Sequence, residues 1–224
     1  MRKSSFMLDT VIFDLDGVLI DSERVNRDCW NKIAADHGYS LDCIYPELIG
    51  KGVACCDELM LFHFGAAFPI KELRTRKDAL FESILDAEGV PLKGGIKEVL
   101  HELRRAGYAL GMATGSTKSA AKRKLAPHGI QELFDACAYA DEVSRGKPWP
   151  DLFQLAARKL DSSPRNCLVI EDSFAGIEAA FAAEMRVIMV PDLQSASEKY
   201  VGQLSVCNSI GELPSMIARS FSDL

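Results

Sequence analysis

Between residues 92 and 190, short continuous apolar runs alternate with amphipathic stretches, and that alternation leaves few architectures open. The runs are YALGMAT (108–114), FDACAYA (134–140), CLVIED (167–172) and RVIMVP (186–191), with helical patterns such as IKEVLHELRRAG and PDLFQLAARKL interspersed. A strand that is apolar on both faces must be covered on both. Strands of this kind separated by helices therefore predict a parallel sheet with helices on its two faces. The early run TVIFDL (10–15) belongs to the same class.

The segment that follows it is different, with helix-like patterns and no convincing strand. ERVNRDCWNKIAADHG carries Val25, Cys29, Trp30 and Ile33 at helical spacing and reaches a helix stop at Gly38; ELRTRKDALFESILDAEG likewise ends at Gly89. The expected fold class is α/β: a Rossmann-like parallel-sheet core built from residues 1–20 and 92–224, with an α-helical cap domain inserted at 21–91. A chain of 224 residues is long enough to bury a substantial core, and it contains no internal repeat or low-complexity tract.

With 48% hydrophobic and 26% charged residues, the composition is that of an ordinary soluble globular protein. A net charge of −6 argues against broad affinity for nucleic acid or membranes, so an anionic ligand must be met by locally placed Lys or Arg. The seven cysteines (Cys29, Cys43, Cys55, Cys56, Cys137, Cys167 and Cys207) lack the repeated short spacing of a zinc site. They read as reduced thiols, which predicts a cytoplasmic location. The basic N-terminus is interrupted by Asp9 and Asp14 before an apolar stretch could serve as a signal peptide or anchor. No strict heptad or contiguous apolar stripe distinguishes an interface from core; a monomer is expected, with an oligomer the alternative.

Asp14 and Asp16 follow Val11, Ile12 and Phe13, which brings two acids to the carboxyl end of a buried strand, where open α/β sheets bind ligands. A carboxylate withdrawn from water costs several kcal/mol unless it is paired, neutralised or metal-bound. An Asp-Gly turn closing a strand would also explain the pattern. Three other strand ends carry complementary groups. Thr114, Gly115 and Ser116 offer hydroxyls and backbone N–H donors leading into a helix, suited to an anion or to simple helix capping. Lys147 sits between Gly146 and the stiffening Pro148 and Pro150, either aimed at a phosphate and at clustered acids or solvated at the surface. Glu171 and Asp172 follow CLVI directly; hard oxygen ligands of this kind suit Mg2+, although a helix-start pair capped by Asp172 or Ser173 fits as well.

Taken in order, DLDGVLIDSE, ATGS, GKPWPDLF and EDSFAGIEAA resemble the motifs of the haloacid dehalogenase superfamily, in its phosphatase branch with a helical cap after the first motif. Within that branch the chain looks most like the β-phosphoglucomutase-like phosphatases, and the resemblance spans nearly the whole sequence. It implies a small phosphorylated metabolite as substrate, a sugar phosphate above all, with Mg2+ as cofactor. Asp14 would be the nucleophile, forming an aspartyl-phosphate, and Asp16 the general acid and base. Thr114, Lys147, Gly115 and Ser116 would bind the transferring phosphoryl group. Asp14, the Asp16 carbonyl and Asp172 would hold the metal, with Glu171 acting directly or through water. Specificity would lie in the cap, near Glu23, Asn26, Lys51 and Gly52, and in the core near Ser116 and Lys118.

Related mutases carry a histidine near the place of Asn26 and a phosphate-gripping arginine near that of Cys55. A thiol cannot supply an arginine's bidentate grip, so hydrolysis is expected over phosphosugar mutase activity. Dehalogenation needs neither Asp16 nor a metal site. Receiver-type phosphoacceptor modules place their acidic pair before the phosphorylated Asp, opposite to the order here.

Overall fold

In a computed structural model, which describes residues 7–49, 51–194, 200, 202 and 204–221, the chain divides into two compact units, Met1–Ile20 with Leu92–Leu224 and Asp21–Pro91. Residues 1–6, the basic start of the segment read above as no signal peptide, lie outside the described residues. No helix among the described residues is long and apolar enough to cross a membrane.

The larger unit is a parallel sheet. Its strands are β1 (Thr10–Phe13), β2 (Ala109–Thr114), β3 (Ala136–Tyr139), β4 (Cys167–Glu171), β5 (Arg186–Met189) and β6 (Ser205–Val206), arranged as β3-β2-β1-β4-β5-β6. Every neighbouring pair is parallel, with Ile12 of β1 level with Gly111 of β2 and Val169 of β4. β1 therefore lies at the centre, and its four residues are all buried. Side chains alternate along each strand, so the sheet needs cover on both faces.

On one face Ile12, Ala113, Ala138 and Val169 meet Leu152, Phe153 and Ala156 of α7 (Asp151–Lys159) and Ile177 and Ala180 of α8 (Phe174–Ala182). Alternation turns Val11, Phe13, Leu110 and Met112 to the other face, where α5 (Ile96–Arg105) packs against β2 and α9 (Leu213–Phe221). The α/β class with helices on both faces is as the alternating runs predict. α6 (Lys118–Leu125) follows β2. β1 is the central strand and β2 and β4 flank it, so the ends of these three strands place Asp14, Thr114 and Glu171 side by side along one sheet edge.

The smaller unit contains α1 (Ser22–Ala35), α2 (Tyr45–Leu48), α3 (Val53–Phe64) and α4 (Ile70–Ala87), with no strand among its described residues. α1 packs on α4, and the buried residues of the two helices include Cys29, Trp30 and Ile33 of α1 and Leu73, Lys77 and Leu85 of α4. The two long helices end shortly before Gly38 and Gly89.

Candidate active site

β1 stops at Phe13, so Asp14 prolongs the strand while Asp16 stands in the turn beyond it. The Asp14 N–H donates to Ile170 O at 3.0 Å, keeping the backbone aligned with β4. The chain then folds back: Leu19 and Ile20 N–H both donate to Leu15 O, and Gly17 N–H donates to Ile20 O at 2.9 Å. Gly17 has φ +87°, and a Cβ there would overlap the Asp172 carboxylate, so both conformation and space demand glycine. The turn gives the two acids different surroundings. Asp14 is 5% exposed, and Asp16 is half-buried.

Asp14, Glu171 and Asp172, all buried, each present a carboxylate oxygen within 4.8 Å of the others. Lys147 Nζ lies 2.5 Å from Asp14 Oδ1 and 2.5 Å from Glu171 Oε1, so it is a bridging cation and not a surface lysine. The second Glu171 oxygen accepts from Asp172 N–H and Ser173 N–H at 2.9 Å and from Ser173 Oγ at 3.0 Å. Ser173 also caps α8, accepting from Gly176 N–H at 3.1 Å, which leaves the Asp172 side chain for the acid cluster. A Cβ at Gly176 would overlap the Glu171 carboxylate, so the α8 backbone closes directly over it.

Burial pushes the Asp14 carboxyl up to about 7, with repulsion from Glu171 and Asp16 adding to the rise and Lys147 opposing it. Burial would lower the Lys147 ammonium, but Asp14 and Glu171 outweigh it and hold the group above its ordinary value. With Asp14 ionised, three carboxylates against one ammonium leave two formal negative charges in a buried cluster. A divalent cation that prefers hard oxygen ligands fits both that excess and the donor set.

Lys147 is held by its loop. Arg145 pairs with Asp151 at 2.7 and 3.1 Å and stacks on Trp149, while Lys147 Nζ lies 5.1 Å from the centre of the Phe153 ring. At the end of β2, Thr114 is fully buried and its Oγ1 accepts from Ser116 N–H at 3.0 Å. Neither residue caps α6; Thr117 does, accepting from Ala120 N–H at 3.4 Å. Gly115 is exposed, and Lys118 N–H donates to Asp141 Oδ1 at 2.9 Å. Ser116 Oγ donates to Asp16 Oδ2 at 3.0 Å, and Lys124 Nζ reaches Asp16 Oδ1 at 2.6 Å. Lys124 is absent from the sequence-based set. Its one signal there is its place on α6 between Ala121 and Leu125, which are buried.

The cap candidates belong to the smaller unit, which has a cavity of about 210 Å3 of its own. Glu23, Asn26 and Lys51 line it; Gly52 instead sits at the start of α3. Asn26 Nδ2 donates to Tyr45 Oη at 2.8 Å and its Oδ1 accepts from Lys77 Nζ at 3.0 Å. Two expectations change here. The cysteine lining the cavity is Cys56, whereas Cys55 is exposed. An arginine is also present, because the spacing of Arg74 and Lys77 on α4 turns both towards Trp30, at 5.2 and 5.4 Å from its ring centre. Arg74 is ion-paired with Asp57.

Known proteins are similar to this chain in sequence and in fold. The family model described as haloacid dehalogenase-like hydrolase matches residues 8–184. The CbbY protein of Cereibacter sphaeroides is 30% identical over 219 residues, covering 92% of this chain and 94% of that protein. Fructose-1-phosphate phosphatase YqaB of Escherichia coli is 31% identical over 184 residues, covering 80% and 95%. The crystal structure of a haloacid dehalogenase family hydrolase from Deinococcus radiodurans, with bound phosphate and sodium, superposes with a TM-score of 0.79 at 29% identity, covering 96% of this chain and 97% of that one.

Proposed function

Since the chain belongs to the haloacid dehalogenase-like hydrolases, we propose that it is a magnesium-dependent phosphatase acting on a small phosphorylated metabolite, a sugar phosphate above all, through an aspartyl-phosphate on Asp14. The observation that carries this reading is the buried group of Asp14, Glu171 and Asp172 with Lys147 bridging two of its members. YqaB of Escherichia coli, a fructose-1-phosphate phosphatase, supports the substrate class.

In this reading an Asp14 oxygen attacks phosphorus and the bond to the leaving oxygen breaks as Asp16 delivers a proton to it. Asp16 then takes a proton from water, whose oxygen attacks the aspartyl-phosphate; inorganic phosphate leaves and the Asp14 carboxylate is restored. Thr114, Lys147 and the backbone N–H of Gly115 hold the phosphoryl oxygens, joined by Ser116 N–H once it releases Thr114 Oγ1. Asp14, Asp172 and the Asp16 carbonyl would hold Mg2+. Glu171, whose oxygens already accept from Lys147 and the Asp172–Ser173 turn, would support it through water. When bound, the ion neutralises charge between the nucleophile and the anionic phosphate. The seven free thiols fit a reducing cytoplasm.

A phosphosugar mutase is the second reading, favoured by Arg74 and Lys77 in the cap cavity. Phosphate release from sugar phosphates, phosphoglycolate and nucleoside monophosphates, with and without Mg2+, tests the proposal. Mg2+-dependent release with one substrate class ahead is expected; rapid conversion of β-glucose 1-phosphate to glucose 6-phosphate without matching release would favour the mutase.

A further inference from the structure

Asp16, Ser116 and Lys124 form a closed triangle in the core unit. Lys124 Nζ donates to Asp16 Oδ1 at 2.6 Å and to Ser116 Oγ at 3.1 Å, and Ser116 Oγ donates to Asp16 Oδ2 at 3.0 Å. Both carboxylate oxygens are thereby engaged, each with lone pairs left over for the proton it would carry in turnover. The lysine is not a solvated surface cation. Its side chain is 13% exposed, in the last turn of α6, whose Ala121 and Leu125 are buried. A lysine that only capped the helix would not need a partner 108 residues away, in the turn that follows the nucleophile.

We propose that Lys124 is a positioning residue for proton transfer: together with Ser116 it fixes the side-chain direction of Asp16. The proposal rests on the reading of Asp16 as general acid and base. Such a residue touches neither phosphorus nor the leaving group, so its loss matters in proportion to how much the reaction needs the Asp16 proton. An alkyl phosphate expels an alkoxide that must be protonated as the P–O bond breaks. p-Nitrophenyl phosphate expels a phenolate that departs without a proton.

The experiment is rapid-quench measurement of phosphoenzyme formation from an alkyl sugar phosphate and from p-nitrophenyl phosphate, at saturating Mg2+, for wild type, Lys124→Met, Lys124→Arg and Asp16→Asn. Lys124→Met is expected to slow the alkyl reaction about tenfold more than the aryl one, within the range that a misplaced catalytic group costs. Lys124→Arg, which keeps a cation, should recover most of the difference. Equal changes with the two substrates, including none, would make Lys124 a simple helix anchor and overturn the proposal. Asp16→Asn separates the two levels. If it lacks the alkyl-selective loss, the role given to Asp16 fails; if it shows that loss and Lys124→Met does not, only the role of Lys124 fails. Lys124→Gln is read in the same way should the Met variant not fold.

Discussion

The ammonium of Lys147 stands 2.5 Å from Glu171 Oε1, and the Glu171 side chain has no solvent exposure at all. The remaining Glu171 oxygen is taken by three donors of the Asp172–Ser173 turn, so this acid braces the end of β4 and orients the lysine towards Asp14. Site and stability are coupled through that contact.

Removing the lysine leaves buried carboxylates without their counter-charge. Lys147→Met is expected to lower the unfolding free energy of the metal-free protein by about 3–5 kcal/mol, the scale of breaking one side of a buried ion pair. Urea denaturation measures this. A loss of about 1 kcal/mol or less would class the contact with exposed ion pairs and contradict the account.

The excess negative charge predicts stabilisation by metal. Mg2+ at a hundredfold excess over its dissociation constant is expected to raise the unfolding free energy by about 2.7 kcal/mol. Asp172→Asn should require a much higher Mg2+ concentration for the same gain. Denaturation midpoints that ignore Mg2+ would remove the metal from the proposal.

Gly17→Ala places a Cβ against the Asp172 carboxylate at a backbone φ of +87°, and is expected to destabilise by about 1–3 kcal/mol while weakening the Mg2+ response. Gly146→Ala, where an added Cβ meets nothing within 4 Å, is the contrast and should change stability by no more than about 0.5 kcal/mol. Equal effects at the two positions would show that the packing of the first turn against Asp172 is unimportant.

In the smaller unit, Asn26→Ala removes the bridge between Tyr45 Oη, which keeps Glu23, and Lys77 Nζ, which keeps Asp78. If this cavity reads the substrate, KM for the sugar phosphate is expected to rise about tenfold with kcat little changed, which is a loss of about 1.4 kcal/mol in binding. A fall in kcat at constant KM would point to a role in chemistry instead.

How far the sequence discloses such a molecule depends on what each residue's environment demands. β1, β2, β4 and β5 are legible because a strand covered on both faces must be apolar throughout, as the fully buried TVIF is. β6 escapes notice because it is two residues long at the sheet edge, and its Ser205 is exposed. α3 escapes because VACCDELMLFHF has no apolar stripe; Met60 is buried while Phe62 is 91% exposed. Asp14, Glu171 and Asp172 stand out as charges placed directly after apolar runs. Lys124, Arg74 and Lys77 do not, since a lysine or arginine on a helix acquires meaning only from partners that the fold brings from elsewhere, such as Asp16 from 108 residues away.

In the proposed mechanism the phosphoryl group passes through Asp14. The direct measurement is to quench the enzyme in acid during turnover of a labelled sugar phosphate, then map the label by mass spectrometry, with Asp14→Asn alongside. The expected result is a hydroxylamine-labile phosphoryl group on the peptide containing Asp14, and a variant that is unlabelled and slowed about 10^4-fold or more. Label on another residue, or continued turnover by Asp14→Asn at a rate near wild type, would contradict it.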